Sequence, residues 1–356
     1  MMTMSFLITA LALASTAQAY HQINAKVAFR KNIDPIVQPG QYTSHMHTFF
    51  GSDQVTVNTK TSAEAQTGCN TNDNPNDLSI YWIPTLYGVK NENRIPIEPL
   101  SFKAYYNNIG DAEVTFPQDF KVVAGNADAN SQADVDARSR LEWFCNVGGG
   151  QGTKDASAFP TSTCDRGRLQ AILTFQDCFN PATMATAYSG GEHRQNSNWC
   201  PTGMKRIPQL RFSVRYDVSA AGSWNGVAPL ELASGPSYSF HGDFINGWLP
   251  EAAENLMAAT DKREWQPVGG PGRAQACTPA DPDPENGTSD WAESVRAMEG
   301  AGNNALAPSV PAVEAKETPA TPATSATTEE DNDCYRKRAL RAMKRISRIA
   351  RLSVRI

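Results

Sequence analysis

Four residues in two short segments have the types and spacing to carry out chemistry together. His45 and His47 are one residue apart in SHMHTFFG, and His241 and Asp243 have the same spacing in SFHGDFINGW. The 356 residues contain only five histidines. Residues two apart on a β-strand point to the same face, so each pair would project together. If the two strands were neighbours, four ionisable groups would converge on one site.

Two catalytic interpretations fit such a site. His45, His47 and His241, with a carboxylate beside them, are ligands for a divalent transition metal such as Zn, Mn, Fe or Cu. Without a metal, a histidine and Asp243 could act as general base and acid on a glycosidic or ester bond. No H-E-x-x-H motif, nucleophile elbow, P-loop or dinucleotide fingerprint occurs, so these common enzyme classes have no support.

A site that binds sugar without reacting is the third interpretation. Concave sites combine apolar walls with a few polar groups, and the predicted substrate-binding residues are Trp82, Tyr87, Asn246 and Trp248. The structural alternative is that Asp243 and Asn246 form a turn and that the histidines bond backbone carbonyls.

The elements that would position these residues are predicted to be strands. Runs rich in β-branched and aromatic residues span 79–89, 100–107, 113–116, 120–124, 169–175 and 209–218, with Gly, Pro and Asn between them. Helical patterns are sparse, at 133–144 and 250–264. The predicted fold is mainly β, a disulfide-braced antiparallel β-sandwich or jelly-roll-like domain with long loops and a few short helices, over residues 20–277.

The N-terminal segment and the cysteine content both indicate export. Residues 1–19 read as a signal peptide, with an apolar run followed by Ala17-Gln18-Ala19. Seven cysteines in an exported chain favour disulfides over metal thiolates. Six of them lie in the domain and can form three bridges in fifteen ways: Cys69, Cys145, Cys164, Cys178, Cys200 and Cys277. Cys334 is left over. The predicted location is secreted, extracellular or associated with a cell wall.

The C-terminal part changes in composition twice. Residues 278–333 are rich in Pro, Ala, Thr and Glu and are predicted to be a disordered linker, with a glycosylation sequon at Asn286. Residues 334–356 carry nine Lys or Arg and no acid, in a pattern typical of a basic amphipathic helix. Such a tail could contact an anionic membrane surface or an acidic partner. The net charge of −5 argues against nucleic acid as a partner.

Six ordered segments give the chain a resemblance to a known family. They are IDPIVQPG, SHMHTFFG, YWIPTLY, FPQDFKVVAG, RIPQL and FHGDFINGW. Together they resemble a family of secreted, mostly fungal proteins known as a domain of unknown function, often joined to WSC-type wall-binding modules. The resemblance implies an extracellular or wall-associated domain that bears His45, His47, His241 and Asp243 as signature polar residues. It implies no particular activity.

The chain also departs from that family's pattern. After the cysteine at Cys178, members usually carry Trp-Asp-Gly and then Ser-His-Met-Ala-Tyr, whereas this chain has Phe179-Asn180-Pro181 and then MATAYSGG. A His and an Asp are absent there, which favours a binding role if they belong to an active site. Two hypotheses follow: an extracellular enzyme acting on a wall or plant polysaccharide, and a non-catalytic protein that binds such a glycan.

Overall fold

Two five-stranded antiparallel sheets packed face to face form the body of the protein. A computed structural model describes residues 20–90, 93–146, 156–161, 164, 168–219, 229–259, 268 and 277–288. The strands are β1 (His21–Ala25), β2 (Val27–Lys31), β3 (His47–Gly51), β4 (Ile80–Pro84), β5 (Leu86–Lys90), β6 (Asn93–Pro96), β7 (Pro99–Asn107), β8 (Lys121–Gly125), β9 (Glu142–Cys145), β10 (Arg168–Thr174), β11 (Cys178–Phe179), β12 (Thr186–Ala187), β13 (Lys205–Arg206), β14 (Gln209–Asp217), β15 (Leu230–Leu232) and β16 (His241–Ile245). The α-helices are α1 (Ser62–Ala65) and α2 (Pro250–Leu256).

The first sheet has the order β1-β7-β14-β10-β9, and the second has the order β2-β3-β4-β16-β8. Two three-stranded sheets, β12-β11-β13 and β15-β5-β6, flank them. The inner faces meet closely, because the rings of Phe50 and Phe102 stack with centroids 4.0 Å apart. At Gly242 a Cβ would lie 2.8 Å from the Phe212 ring. The predicted disulfide-braced antiparallel β-sandwich is confirmed.

The second sheet is buried on both faces. Its inner face contributes Phe50, Tyr81 and Phe244 to the main core. Its outer face packs under the segment 33–65 in a separate apolar cluster of Ile33, Phe49, Val55, Val57, Ala65, Ile80, Trp82 and Ile245. Side chains that alternate with the inner-face residues therefore lie beneath a layer of loops and not in water.

Three disulfides brace the fold and confirm that the six cysteines of the domain pair with one another. They join Cys69 to Cys277, Cys145 to Cys164, and Cys178 to Cys200. Disulfides of this kind form in oxidising compartments, which indicates an extracellular or secreted protein. None of the helices formed by the described residues has the length and apolarity needed to cross a bilayer. The segment 1–19, Cys334 and the basic tail lie outside the described residues.

Residues 277–288 form a C-terminal strap that packs on the domain, although the sequence predicts a linker from residue 278. The buried ammonium group of Lys31 lies 3.1 Å from an Asp281 carboxylate oxygen and donates to the carbonyls of Asp283 and Asn286. The N–H of Asn32 donates to the Gly287 carbonyl at 2.9 Å. A buried cation with ionic and carbonyl partners, together with the disulfide at Cys277, holds the strap despite its linker-like composition.

Two predicted elements are wrong. The predicted helix 133–144 is instead a pair of 3₁₀ turns, Gln132–Asp134 and Ala137–Ser139, followed by β9. The Asp136 carboxylate accepts from the Arg138 N–H at 2.9 Å, a local bond that competes with helix. The predicted strand 113–116 is irregular, because the N–H groups of Glu113 and Val114 both donate to the Arg206 carbonyl.

Asp77 is a buried carboxyl in a hydrogen-bonded network of the core. Asp77 accepts from the Tyr81 hydroxyl, which lies 2.7 Å from the Tyr106 hydroxyl, and Trp248 Nε1 donates to Tyr106 at 3.0 Å. Burial raises the pKa of Asp77 to about 6 from 3.8, and the charge of Asp73 adds to this, against hydrogen bonds from Ser79 and Tyr81 that lower it. The folded state therefore holds a proton here that the unfolded chain has released.

We expect an Asp77→Asn variant to gain stability relative to the wild type as pH rises. A raised folded-state pKa gives stability that is present below pH 4 and is lost through pH 6. The difference in free energy of unfolding between the variant and the wild type should change by about 2 kcal/mol between pH 4 and pH 8. Urea denaturation of both proteins across this range measures it. A difference that stays constant with pH would contradict the expectation.

Candidate metal centre

His47 and His241 lie on strands that flank β4. His47 is opposite Pro84 in the pairing of β3 with β4, and Asp243 is opposite Trp82 in the pairing of β16 with β4. The two histidines therefore reach towards each other across the Pro84 end of β4, so they converge although their strands are not direct neighbours. His45 lies in the loop before β3 and not on the strand.

The three imidazoles nevertheless converge on one point. His241 Nε2 lies 3.1 Å from His45 Nε2 and 3.1 Å from His47 Nε2. One nitrogen from each ring can be chosen so that all three lie within 4.8 Å of one another. Two nitrogens bound to one Zn²⁺ at about 2.0–2.1 Å lie roughly 3.3 Å apart in a tetrahedral site. The spacing is thus that of ligands around a single ion.

Backbone carbonyls set the orientation of two of these rings. His47 Nδ1 lies 2.9 Å from the Ile33 carbonyl, and His241 Nδ1 lies 2.8 Å from the Ser239 carbonyl. A carbonyl only accepts, so Nδ1 carries the hydrogen in both rings. In the neutral rings, both Nε2 atoms then present lone pairs to each other. Such a contact is repulsive unless a cation lies between the two nitrogens. Metal-binding histidines are usually oriented in this way, with Nδ1–H bonded to a carbonyl and the Nε2 lone pair left for the metal.

Burial keeps the cluster neutral. His47 and His241 are fully buried and His45 is half-buried. Removal from water lowers the pKa of His241 to about 4 and lowers the pKa of His45 and His47 well below the usual range, with repulsion among the rings adding to the effect. Neutral imidazole is the form that binds a metal.

Asp243 supplies a carboxyl group beside the imidazoles. It is fully buried, and Oδ2 lies 3.9 Å from His241 Nε2. Neither of its carboxyl oxygens has a hydrogen-bond partner among the described residues, and the same is true of Trp82 Nε1. Burial raises the pKa of Asp243 well above its usual range, with a smaller contribution from Asp34. Two unpartnered polar side chains next to three converging imidazoles indicate a ligand-binding site.

The residues predicted to bind substrate are all buried. Trp82 stacks on Phe49 in the outer cluster next to His47, whereas Trp248 belongs to the main core on the other face of the sheet. Tyr87 lies on β5 with the Arg94 guanidinium over its ring. A sugar can stack on neither indole as the structure stands, because both are fully buried.

Asn246 has the turn role that the sequence offered as an alternative. Its Nδ2 donates to the Pro117 carbonyl at 2.8 Å, and its Oδ1 accepts from the Trp248 N–H at 3.1 Å. These bonds fix the chain after β16. The structure therefore brings together His45, His47, His241 and Asp243, with Trp82 beside them, and places the other predicted residues elsewhere.

Sequence reasoning missed the groups that orient the cluster. The carbonyls of Ile33 and Ser239 leave no signal in residue type. Asp34 closes a turn, because its Oδ1 accepts the N–H groups of Ile36 and Val37 at 3.0 and 2.9 Å. The turn it closes directly follows Ile33, so IDPIVQPG serves the site through its backbone.

The segment where the sequence departs from the family pattern contributes no histidine to the cluster. Cys178 and Phe179 form β11, which pairs with β12 and β13 in a separate small sheet. Phe179 packs in the main core. The three-imidazole cluster is therefore complete without the His and Asp that this segment lacks.

Comparison with known proteins supports the family resemblance. No curated protein and no solved structure matched the chain. A family model described as a domain of unknown function, DUF1996, matches residues 34–248. The match covers the segments that hold His45, His47, His241 and Asp243. It also covers the turn that begins at Asp34, directly after Ile33. The chain therefore belongs to the DUF1996 family of domains of unknown function.

Proposed function

We propose that the protein binds one divalent transition metal ion through Nε2 of His45, His47 and His241, and that it acts on a polysaccharide outside the cell. The observation that carries the metal centre is the 3.1 Å contact between the Nε2 atoms of His47 and His241, whose Nδ1 atoms both face carbonyls. An ion placed between these lone pairs turns a repulsive contact into coordination.

The donor set favours a borderline metal such as zinc. Three imidazoles with an open position form a catalytic site for Zn²⁺, which can supply a bound water with a pKa near 7. The carbonyls of Ile33 and Ser239 would hold two of the rings in place. Asp243 would serve as a fourth ligand or as the group that accepts a proton from water. His45 is the one half-buried ligand, so a substrate would approach from its side.

The extracellular assignment is supported by three disulfides and by the signal-like segment 1–19. The sequon residue Asn286 is exposed on the strap, where a glycosyltransferase could reach it. A polysaccharide substrate accords with the resemblance to proteins that are joined to wall-binding modules. The reaction proposed is hydrolysis, in which water adds across a glycosidic bond and releases a new reducing end.

The test is release of oligosaccharides from a panel of wall and plant polysaccharides by the full secreted chain. We expect products detectable by mass spectrometry with the metal-loaded protein, their loss on chelation, and their return when Zn²⁺ is restored. His45→Ala should release none, whereas His193→Ala, in an exposed turn outside the cluster, should act as the wild type. Saturable binding without products from any polysaccharide would contradict the catalytic assignment and support the non-catalytic alternative.

A further inference from the structure

A polar cavity of about 420 Å³ opens on the first sheet, on the face that points away from the sandwich. Residues that line it include Tyr20, Asn107, Asn108, Arg140, Gln209 and Arg211. This volume is within the range of small-ligand sites. The metal centre lies on the other sheet, so the cavity is a separate feature.

The strand register builds the floor of the cavity. Arg211 on β14 is opposite Tyr105 on β7 and opposite Thr174 on β10. Phe212 and Tyr106, the next residues along, are buried in the main core. Arg211 and Tyr105 therefore point to the outer face. The loop that carries Arg140 supplies a wall, and the chain before β1 brings in Tyr20, whose ring centroid is 5.9 Å from that of Tyr105.

Arg211 has hydrogen-bonding capacity that the described residues leave unused. Its guanidinium lies over the Tyr105 ring, 4.7 Å from the ring centroid, so the ring holds the charged group in place. Its buried Nε–H has no acceptor among the described residues. Within that part of the chain, Arg211 also has no carboxylate within salt-bridge distance. A buried donor without an acceptor is costly, and a ligand oxyanion would satisfy it.

Two residues of the cavity have strained backbones. Asn108 has a φ of 55° and Arg140 has a φ of 47°, in the left-handed region that costs a non-glycine residue about 1 kcal/mol or more. Strain of this kind is often found where side chains must be aimed at a ligand. Asn108 Nδ2 donates to Gln209 Oε1 at 3.2 Å, so these two amides are fixed with respect to each other.

Further cations lie on the same face of the sheet as the cavity, although the chain has a net charge of −5. Lys103 on β7 and Arg215 on β14 alternate with inner-face residues and so share the outer face with Arg211. Arg215 donates to the Gln170 side chain at 3.1 Å. The same face also carries the carboxylates of Glu142 and Asp217, so the cations beside the cavity, and not the whole face, would attract an anionic ligand.

We infer that this cavity binds an acidic sugar of a polysaccharide, with its carboxylate on the guanidinium groups of Arg211 and Arg140. Guanidinium groups match the planar geometry of a carboxylate. The amides of Asn107 and Gln209 can bond sugar hydroxyls, and the Tyr20 ring offers a stacking surface. The inference deepens the proposed action on a polysaccharide by naming a uronic-acid class of ligand. It needs no metal, so binding here and metal binding at the histidines can fail separately.

Isothermal titration calorimetry of the full secreted chain with trigalacturonate tests the inference. We expect saturable binding that persists in EDTA and in His47→Ala. Arg211→Gln and Arg140→Gln should each weaken the affinity by about 10- to 100-fold, the effect of losing a charge-assisted hydrogen bond. Circular dichroism would establish that each variant is folded.

The matched control removes the same charge from the same sheet. Arg168 lies six residues before Thr174 on β10, or roughly 20 Å along the strand. At 0.15 M salt a charge at that distance is screened, so Arg168→Gln should bind within about two-fold of wild type. The trimer's methyl ester should bind at least about 10-fold more weakly, because it lacks the carboxylate. The inference would be overturned if the trimer did not bind or if its methyl ester bound equally well. It would also be overturned if inorganic sulfate competed for the site as strongly as the trimer itself, which would indicate a general anion site.

Discussion

Replacing His47 by alanine is expected to lower the affinity for a divalent metal by about 10²- to 10³-fold. The free energy of binding at multi-ligand zinc sites is about 10–16 kcal/mol, so one ligand of three or four carries roughly 3–4 kcal/mol. His47 is fully buried and held by the Ile33 carbonyl, so no other side chain can take its place without moving the loop. Competition with a chromophoric chelator measures the affinity for Zn²⁺.

Two variants separate loss of a ligand from general damage. His193→Ala removes a histidine that lies in a 3₁₀ turn outside the cluster and should leave the affinity unchanged. His47→Gln keeps a polar side chain of similar size but lacks the imidazole nitrogen that would bind the metal. Its affinity should fall nearly as much as that of His47→Ala. Wild-type affinity in either His47 variant, with the fold intact by circular dichroism, would contradict the assignment of His47 as a ligand.

Replacing Gly51 by alanine is expected to destabilise the fold by about 3–5 kcal/mol. Gly51 ends β3 with a φ of +89°, and a Cβ there would lie 1.9 Å from the Ser79 carbonyl oxygen. A left-handed backbone and a clash with the neighbouring strand therefore act together. Urea denaturation under non-reducing conditions would give the free energy of unfolding.

Gly110 is the control for this substitution. It lies in a 3₁₀ turn, and a Cβ there would meet nothing within 4 Å. Gly110→Ala should change the free energy of unfolding by no more than about 0.5 kcal/mol. Equal effects at the two positions would contradict the close approach of β3 to Ser79, on which the position of His47 depends. The glycine of SHMHTFFG is thus part of the architecture of the site.

Five strands of the sandwich, β4, β7, β8, β10 and β14, lie in runs that the sequence predicts as strands, whereas β1, β2 and β9 were not predicted. In β7, Phe102, Ala104 and Tyr106 face the core, while the residues between them are half-buried. The predicted helix at 133–144 does not form, because the side chains of Asp134 and Asp136 accept from nearby backbone N–H groups and favour turns. The strap after Cys277 was missed because its anchor, Lys31, is distant in the sequence.

The candidate site could be predicted in its residues but not in its geometry. The residue types and spacing of His45, His47, His241 and Asp243 were sufficient to group them as one candidate site. Periodicity could not reveal that β4 lies between the two strands or that His45 belongs to a loop. Trp82 and Trp248 were expected to bind sugar, because residue type alone does not show that the second sheet is covered on both faces.

Metal content of the full chain, secreted from a eukaryotic host, tests the central claim most directly. Plasma mass spectrometry of the wild type should find about one equivalent of a transition metal per chain. The same measurement on folded His47→Ala and His241→Ala should find little or none, and His193→Ala should match the wild type. A wild-type chain that contains no metal, and takes up none from added Zn²⁺, Cu²⁺, Fe²⁺ or Mn²⁺, would contradict the metal centre.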